Sequence, residues 1–365
     1  MASIQPLANG KRRARYRDAA GKEHARHFDT KREAQQWLDQ VTASVVRGDY
    51  VDPQAGRTTV AVYAASWEAI QVSSEGTRRI VDNALRLHVL PVLGGHKIAT
   101  VRRSHVQALV KELEGKGLSA GSVRNIYEVV ARLFDAAAED RVIASTPCRR
   151  IALPKGDGAE VVPPALEQIE AIRSHLDERW QVIPLVLAGS GLRIGELLGL
   201  GMFDVDYLRR SVRVERQRLQ SGALAPLKSK TSRRTVPIGE VVVEALTAHL
   251  AAHPGTDEAL FTDEWDDPLT YRRWKSLWRA AATTAGVDAT SHDLRHFAAS
   301  ALISGGASVK QVQTFLGHSS AVITLRTYAH MFPGDEDRTR NVLDAALRPV
   351  LSPSADSVRT EAAPR

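Results

Sequence analysis

Residues 291–300 read SHDLRHFAAS, and the reading of this stretch decides the fold of the C-terminal half. His292 and His296 stand four apart, so on a helix they share a face, as in a zinc peptidase motif with Asp293 in the place of the usual Glu. Asp is one methylene shorter as a general base, Arg295 would set a fixed positive charge beside a dication, and no third ligand follows closely. The stretch instead joins a set of fragments in which no metal is expected. These are Arg193 in GLRIGELLGL (191–200), Lys228 and Lys230 in LKSKTSRRTVP (227–237), His318 in LGH (316–318) and Tyr328 in TLRTYAH (324–330).

Taken one at a time, such residues are ordinary: a helical Arg pairs with a carboxylate, and a Tyr fills a core. In this order they supply what phosphoryl transfer at a DNA backbone needs. The crowded five-coordinate phosphorus gathers negative charge on its non-bridging oxygens, which planar, permanently charged guanidiniums clamp in bidentate fashion. Arg193 and Arg295 fit that part. A phenol with a free pKa of about 10 is a weak nucleophile and needs a base or a cationic field, and His292 fits as base for Tyr328. The departing 5′ oxygen needs a proton, which a lysine on a hairpin tip can deliver. Lys228 is the first choice and Lys230 the alternative, because residues two apart on a strand point the same way. A glycine pattern at 189–195 (GSGLRIG) has its last glycine one place late for a dinucleotide fingerprint and no parallel βαβ unit around it.

The chain has 365 residues, more than one ordinary core supports, and a net charge of +7. Its one cysteine, Cys148, builds neither a disulfide framework nor a Cys-rich zinc module. No apolar run approaches the roughly 18–20 residues that span a bilayer, and the N-terminus lacks a signal peptide's apolar centre, so a cytoplasmic protein is expected. Residues 1–57 carry 11 basic and 7 acidic side chains, 58–157 carry 14 and 10, and 158–365 carry 24 and 25. The positive excess is N-terminal, which points to a polyanion gripped there, with nucleic acid the leading partner.

Hydrophobic periodicity divides the chain. In residues 1–57 a basic hairpin holds Lys11, Arg12, Arg13, Arg15 and Arg17. A helix follows with Ala34, Trp37, Leu38 and Val41 on one face and a Thr30/Glu33 capping box. Residues 58–153 read as a helical bundle that carries Arg78, Arg79 and Arg124. After the Pro/Gly-rich linker PKGDGAEVVPP (154–164), residues 160–347 read as mainly helical. They hold one long apolar helix over 180–200, a small antiparallel sheet with a strand over 211–218, and a helix over 335–347. Residues 348–365 read as a loose tail. The expected class is multidomain and mainly α with small antiparallel sheets.

The ordered Arg, hairpin Lys, His-x-x-Arg, His and Tyr set resembles the tyrosine recombinases, specifically the phage-type integrases. GLRIGELLGL, HDLRHFAAS, LGHSS and TLRTYAHMF are similar to that family's signature boxes, over about residues 160–335. The resemblance implies that Arg193 and Arg295 bind the scissile phosphate and that Lys228 is the general acid. It implies that His292 and His318 assist in proton handling, that Glu196 braces the site, and that Tyr328 is joined to the 3′ phosphate without metal or other cofactor. It further implies an arm-type DNA-binding domain at the N-terminus and a core-binding, SAM-like bundle after it. A tetramer is expected to assemble on core and arm attachment sites in double-stranded DNA, with an excisionase-type directionality factor and a host DNA-bending protein as possible partners. The C-terminal helix would dock on a neighbouring protomer or on its own domain. Integration or excision of a mobile element is the leading role. Dimer resolution, type IB topoisomerase-like relaxation and noncatalytic DNA-binding regulation are the alternatives.

Overall fold

The structure is a computed structural model that describes residues 2–17, 21, 23–47, 55–156, 160–227, 230–332 and 336–351. The chain divides into two compact units, Met1–Ala159 and Glu160–Arg365. Among the described residues it is mainly helical with small antiparallel sheets, as the sequence pattern predicts.

The first unit opens with three antiparallel strands, β1 (Ser3–Pro6), β2 (Arg12–Arg17) and β3 (Glu23–Phe28), in the order β1-β2-β3, followed by α1 (Lys31–Arg47). The expected capping box forms: the Thr30 hydroxyl accepts from the Glu33 N–H at 3.2 Å, and the Thr30 N–H donates to the Glu33 carboxylate at 3.2 Å. Strand alternation buries Ala14 and Tyr16 against Ala34 and Leu38 of α1. Arg13, Arg15 and Arg17 therefore share the opposite face, where Glu23 lies within 3.9 Å of each. Arg12 has the parity of Ala14 and Tyr16, so the basic cluster read as one group is split between two faces.

The helices α2 (Val60–Ala69), α3 (Glu75–Ala84), α4 (Leu90–Leu93), α5 (Arg103–Gly115) and α6 (Ala120–Glu139) surround a core that includes Val60, Leu85, Leu93, Leu109, Leu133 and Phe134. Thr59, Ser74 and Ser119 cap α2, α3 and α6 by accepting from backbone N–H groups within the first turn. Arg78 and Arg79 on α3 are exposed beside Glu68, Glu75 and Asp82, and Arg124 is exposed on α6.

The second unit contains α7 (Leu166–Ser174), α8 (Val182–Ser190), α9 (Ile194–Leu197), β4 (Val205–Asp206), β5 (Ser211–Val214), β6 (Arg216–Arg218), β7 (Leu224–Pro226), β8 (Arg234–Pro237), α10 (Glu240–Ala252) and α11 (Tyr271–Thr284). They are followed by α12 (Asp293–Ser304), α13 (Val309–Leu316), α14 (Ala321–Tyr328) and α15 (Glu336–Leu351). Its sheets run β4-β5-β8 and β6-β7. Ile183, Leu187, Leu197, Val212, Val236, Trp274 and Leu294 lie in one core.

Three expectations change here. The single apolar helix over 180–200 is broken: α8 ends at Gly191, whose left-handed conformation (φ 60°) turns the chain before α9. A side chain there would also meet the Phe315 ring at 2.8 Å. The strand over 211–218 is two strands, since Ser211–Val214 pairs with β8 while Arg216–Arg218 pairs with β7. The last helix runs to Leu351, past the expected start of the tail at Arg348, with Val342, Leu343 and Leu347 exposed. Residues 352–365 lie outside the described residues.

Candidate active site

The break at Gly191 positions the first arginine. Arg193 caps α9, and Glu196 folds back on it: the Arg193 backbone N–H donates to one carboxylate oxygen at 3.0 Å and its guanidinium to the other at 2.7 Å. Glu196 is 2% exposed, and its second partner is the buried side chain of Arg234, from β8, at 3.0 Å. Arg234 is in turn fixed by the carbonyls of Phe315 (2.8 Å) and Ser232 (3.0 Å). Burial alone would raise the Glu196 pKa, but the Arg234 and Arg193 guanidiniums outweigh it and hold the carboxyl below its usual range.

Arg295 comes from the first turn of α12 and is 2% exposed. Its two terminal nitrogens donate to the Gly191 and Leu316 carbonyls, each at 2.6 Å, which ties α12 to the ends of α8 and α13. Burial first, then the like charge of Arg193, pushes its pKa down to about 9, so it remains a cation at neutral pH. Three guanidiniums around the single carboxylate of Glu196 leave a positive field in the cleft.

His292 ends the turn before α12, which Asp293 holds by accepting from the Thr290 N–H (2.6 Å) and hydroxyl (2.9 Å). Desolvation in the cleft, followed by His296 and Arg295, pushes the His292 pKa down to about 4. His318 follows Gly317, the left-handed residue (φ 67°) that ends α13. Its Nδ1 lies 2.9 Å from the Thr324 hydroxyl, and its ring lies parallel to that of Tyr328 with centroids 6.5 Å apart. Burial and the surrounding arginines push its pKa down to about 4 as well. Both imidazoles are therefore neutral at pH 7.

Tyr328 closes α14 and is 1% exposed. Burial raises its phenol pKa, and Arg295 opposes that rise. Its hydroxyl is not held by His292, the base expected from sequence, but lies 2.8 Å from Nδ1 of His296, one turn further along α12. The His292 ring meets His296 edge-on at 5.1 Å. So the two histidines first weighed as a metal pair face each other, and of the two it is His296 that meets the phenol. Among the described residues no group of three His, Cys, Asp or Glu is placed to hold a metal.

Arg193, Glu196, His292, Arg295, His318 and Tyr328 line one cleft of about 510 Å³, together with His296. Lys228 lies outside the described residues. Lys230 opens a short 3₁₀ turn, Lys230–Ser232. Leu227 and Ser232, on either side of this pair, both line the cleft. Sequence reasoning missed Arg234 and His296. Arg234 carried only the bland signal of a second arginine in a basic run, and His296 was set aside with the zinc reading.

Residues 163–334 match the phage integrase family. This part of the chain belongs to that family. The chain as a whole is 25% identical to an integrase of Mycobacterium phage L5 over 316 residues, which cover 82% of this chain and 84% of the relative. Its fold is that of the Tn1549 transposon integrase solved with a circular intermediate DNA. There the TM-score is 0.68 at 22% identity, covering 79% of this chain and 99% of that one. The λ integrase tetramer bound to a Holliday junction is also similar, with a TM-score of 0.60 at 17% identity, covering 87% of this chain and 96% of that one. The integrase-family residues contain every described member of the cleft.

Proposed function

We propose that this recombinase cuts and rejoins attachment-site DNA through a 3′-phosphotyrosyl intermediate formed on Tyr328, and so integrates or excises a mobile element. The observation that carries this reading is the convergence of Arg193, Arg295, His292, His318 and Tyr328 of one chain on one cleft. The two guanidiniums hold the non-bridging oxygens as the phenol oxygen attacks phosphorus and the P–O5′ bond breaks. Lys228 protonates the departing 5′ oxygen. Its chain neighbour Leu227 lines the cleft, whereas Lys230 belongs to the 3₁₀ turn that follows. The phosphodiester energy stays in the tyrosyl ester, and a partner strand's 5′ hydroxyl reseals the DNA by the reverse step.

The assembly is a tetramer on two duplexes, acting with the bacterial nucleoid. The exposed Val342, Leu343 and Leu347 of α15 support docking on a neighbouring protomer. The helical bundle of 58–153 grips the core site through Arg124, and less through Arg78 and Arg79, which three carboxylates surround. A directionality factor and a DNA-bending host protein set the direction of exchange.

The test uses a nicked core-site duplex taken from DNA flanking the encoding gene. The trapped protein–DNA adduct, digested with trypsin, should carry its nucleotide on the peptide of residues 327–338, in which Tyr328 is the one tyrosine. A nucleotide mapped to any other peptide refutes the reading.

Residues 1–57 form the arm-binding part. The outward face of β2 makes a specific forecast: replacing Arg13, Arg15 and Arg17 together by Ala should flatten the slope of log K against log salt for arm-site DNA by about 2–3, at roughly 0.9 per phosphate contact. Cleavage of the core site at saturating protein should not change. Filter-binding titrations over a range of salt concentrations measure the slope.

A further inference from the structure

We propose that His296, rather than His292, is the general base that takes the phenolic proton of Tyr328. This rests on the reading of Tyr328 as nucleophile. The His296 Nδ1 is 2.8 Å from the phenol oxygen, within direct proton-transfer reach. A neutral imidazole accepting there carries its own proton on Nε2, so a base in this place must be the Nε2–H tautomer. Burial followed by the charge of Arg295, with Asp293 opposing, lowers the His296 pKa, which keeps it in the accepting form at neutral pH. His292 meets the His296 ring edge-on instead.

The step balances without any co-reactant. The phenolic O–H bond breaks and an N–H bond forms on Nδ1 as the phenol oxygen bonds phosphorus. The electron pair of the broken P–O5′ bond leaves with the 5′ oxygen, which receives its proton from elsewhere. The imidazolium returns its proton to the phenol when the partner strand displaces it, so one group serves both directions. The charged and titratable groups facing His296 are His292, Asp293 and Arg295 of its own helix and turn, Tyr328 from α14, His318 from the turn after α13, and Arg193 across the cleft. In the adjoining elements, His330 is engaged with the Val161 carbonyl and Lys310 with Gln313 of its own helix.

Asparagine at 296 offers an acceptor where Nδ1 stood but no basic nitrogen, so His296→Asn separates holding the phenol from deprotonating it. The substrate is the core-site duplex with a 5′-bridging sulfur at the scissile position, which leaves without protonation and isolates events at the phenol. His296→Asn and His296→Gln should bind this duplex as wild type does and form adduct about a hundredfold more slowly at pH 7. The deficit should shrink by about tenfold per pH unit up to pH 9, because hydroxide replaces the missing base while the wild-type rate stays level. A deficit that is the same at every pH, or a rate within threefold of wild type in either variant, overturns the assignment. Adduct formed by Tyr328→Phe on the same duplex overturns the underlying reading of the nucleophile instead.

Discussion

Tyr328→Phe should bring the denaturation-resistant protein–DNA adduct to background while leaving both fold and DNA affinity in place. The change removes one oxygen from a ring that stays buried among Ala299, Ile303, Val312 and Leu316, so the packing volume is kept. The cost to the fold is the hydrogen bond to His296, about 1 kcal/mol, since Nδ1 loses its donor in a half-buried place. Arg193 and Arg295 keep their partners, Glu196 and the carbonyls of Gly191 and Leu316, none of which involves the phenol. The positive field that attracts the phosphate is therefore untouched. What disappears is the atom proposed to bond phosphorus, and the Thr324 hydroxyl, one turn back on α14, is engaged with His318. Gel electrophoresis under denaturing conditions, run beside a DNA-binding titration, separates lost chemistry from lost binding.

Glu196→Ala should destabilise the C-terminal unit by about 3–5 kcal/mol, because it strands a buried guanidinium. Both oxygens of Glu196 are used, one by the Arg193 side chain and the other by the Arg193 backbone and Arg234. Arg193 is half exposed and can turn to water, whereas the Arg234 side chain is 5% exposed and held by two carbonyls, so its charge stays uncompensated. The same contact gives a pH signature. The folded-state pKa of Glu196 is lowered, so its stabilisation is fully present above the unfolded value of about 4.3 and is lost as pH falls through the folded one. Wild-type melting should thus fall steeply in acid, and the Ala variant should lack that part of the fall. Calorimetry between pH 3 and 7 measures both.

Much of this was legible in the residue pattern. The Thr30 capping box, the face formed by Ala34 and Leu38, and the helical bundle follow from local rules that no distant contact overrides. The residues that line the cleft were legible because the proposed phosphate chemistry restricts which side chains serve, and their identity is visible without coordinates. Three-dimensional partnership was not. An unbroken apolar run from 180 to 200 fits a buried helix, but Gly191 takes a left-handed turn that ends α8, at a place where Phe315, more than a hundred residues away, leaves no room for a side chain. Arg234 looks like any arginine of a basic run until β8 carries it beside Glu196. The choice between His292 and His296 depends on which ring the end of α14 meets, and helical spacing alone makes the two equivalent.

The Gly191 carbonyl completes the link between the two cations. The turn it belongs to sets where Arg193 begins α9, and its oxygen anchors Arg295. Displacing that one loop would shift both forks together, so the pair behaves as one mechanical part whose spacing is fixed before any nucleic acid arrives. Preorganisation of that kind means little reorganisation remains to be done when the phosphorus becomes crowded, and it makes a single peptide unit the point at which evolution or an engineer could detune the whole reaction.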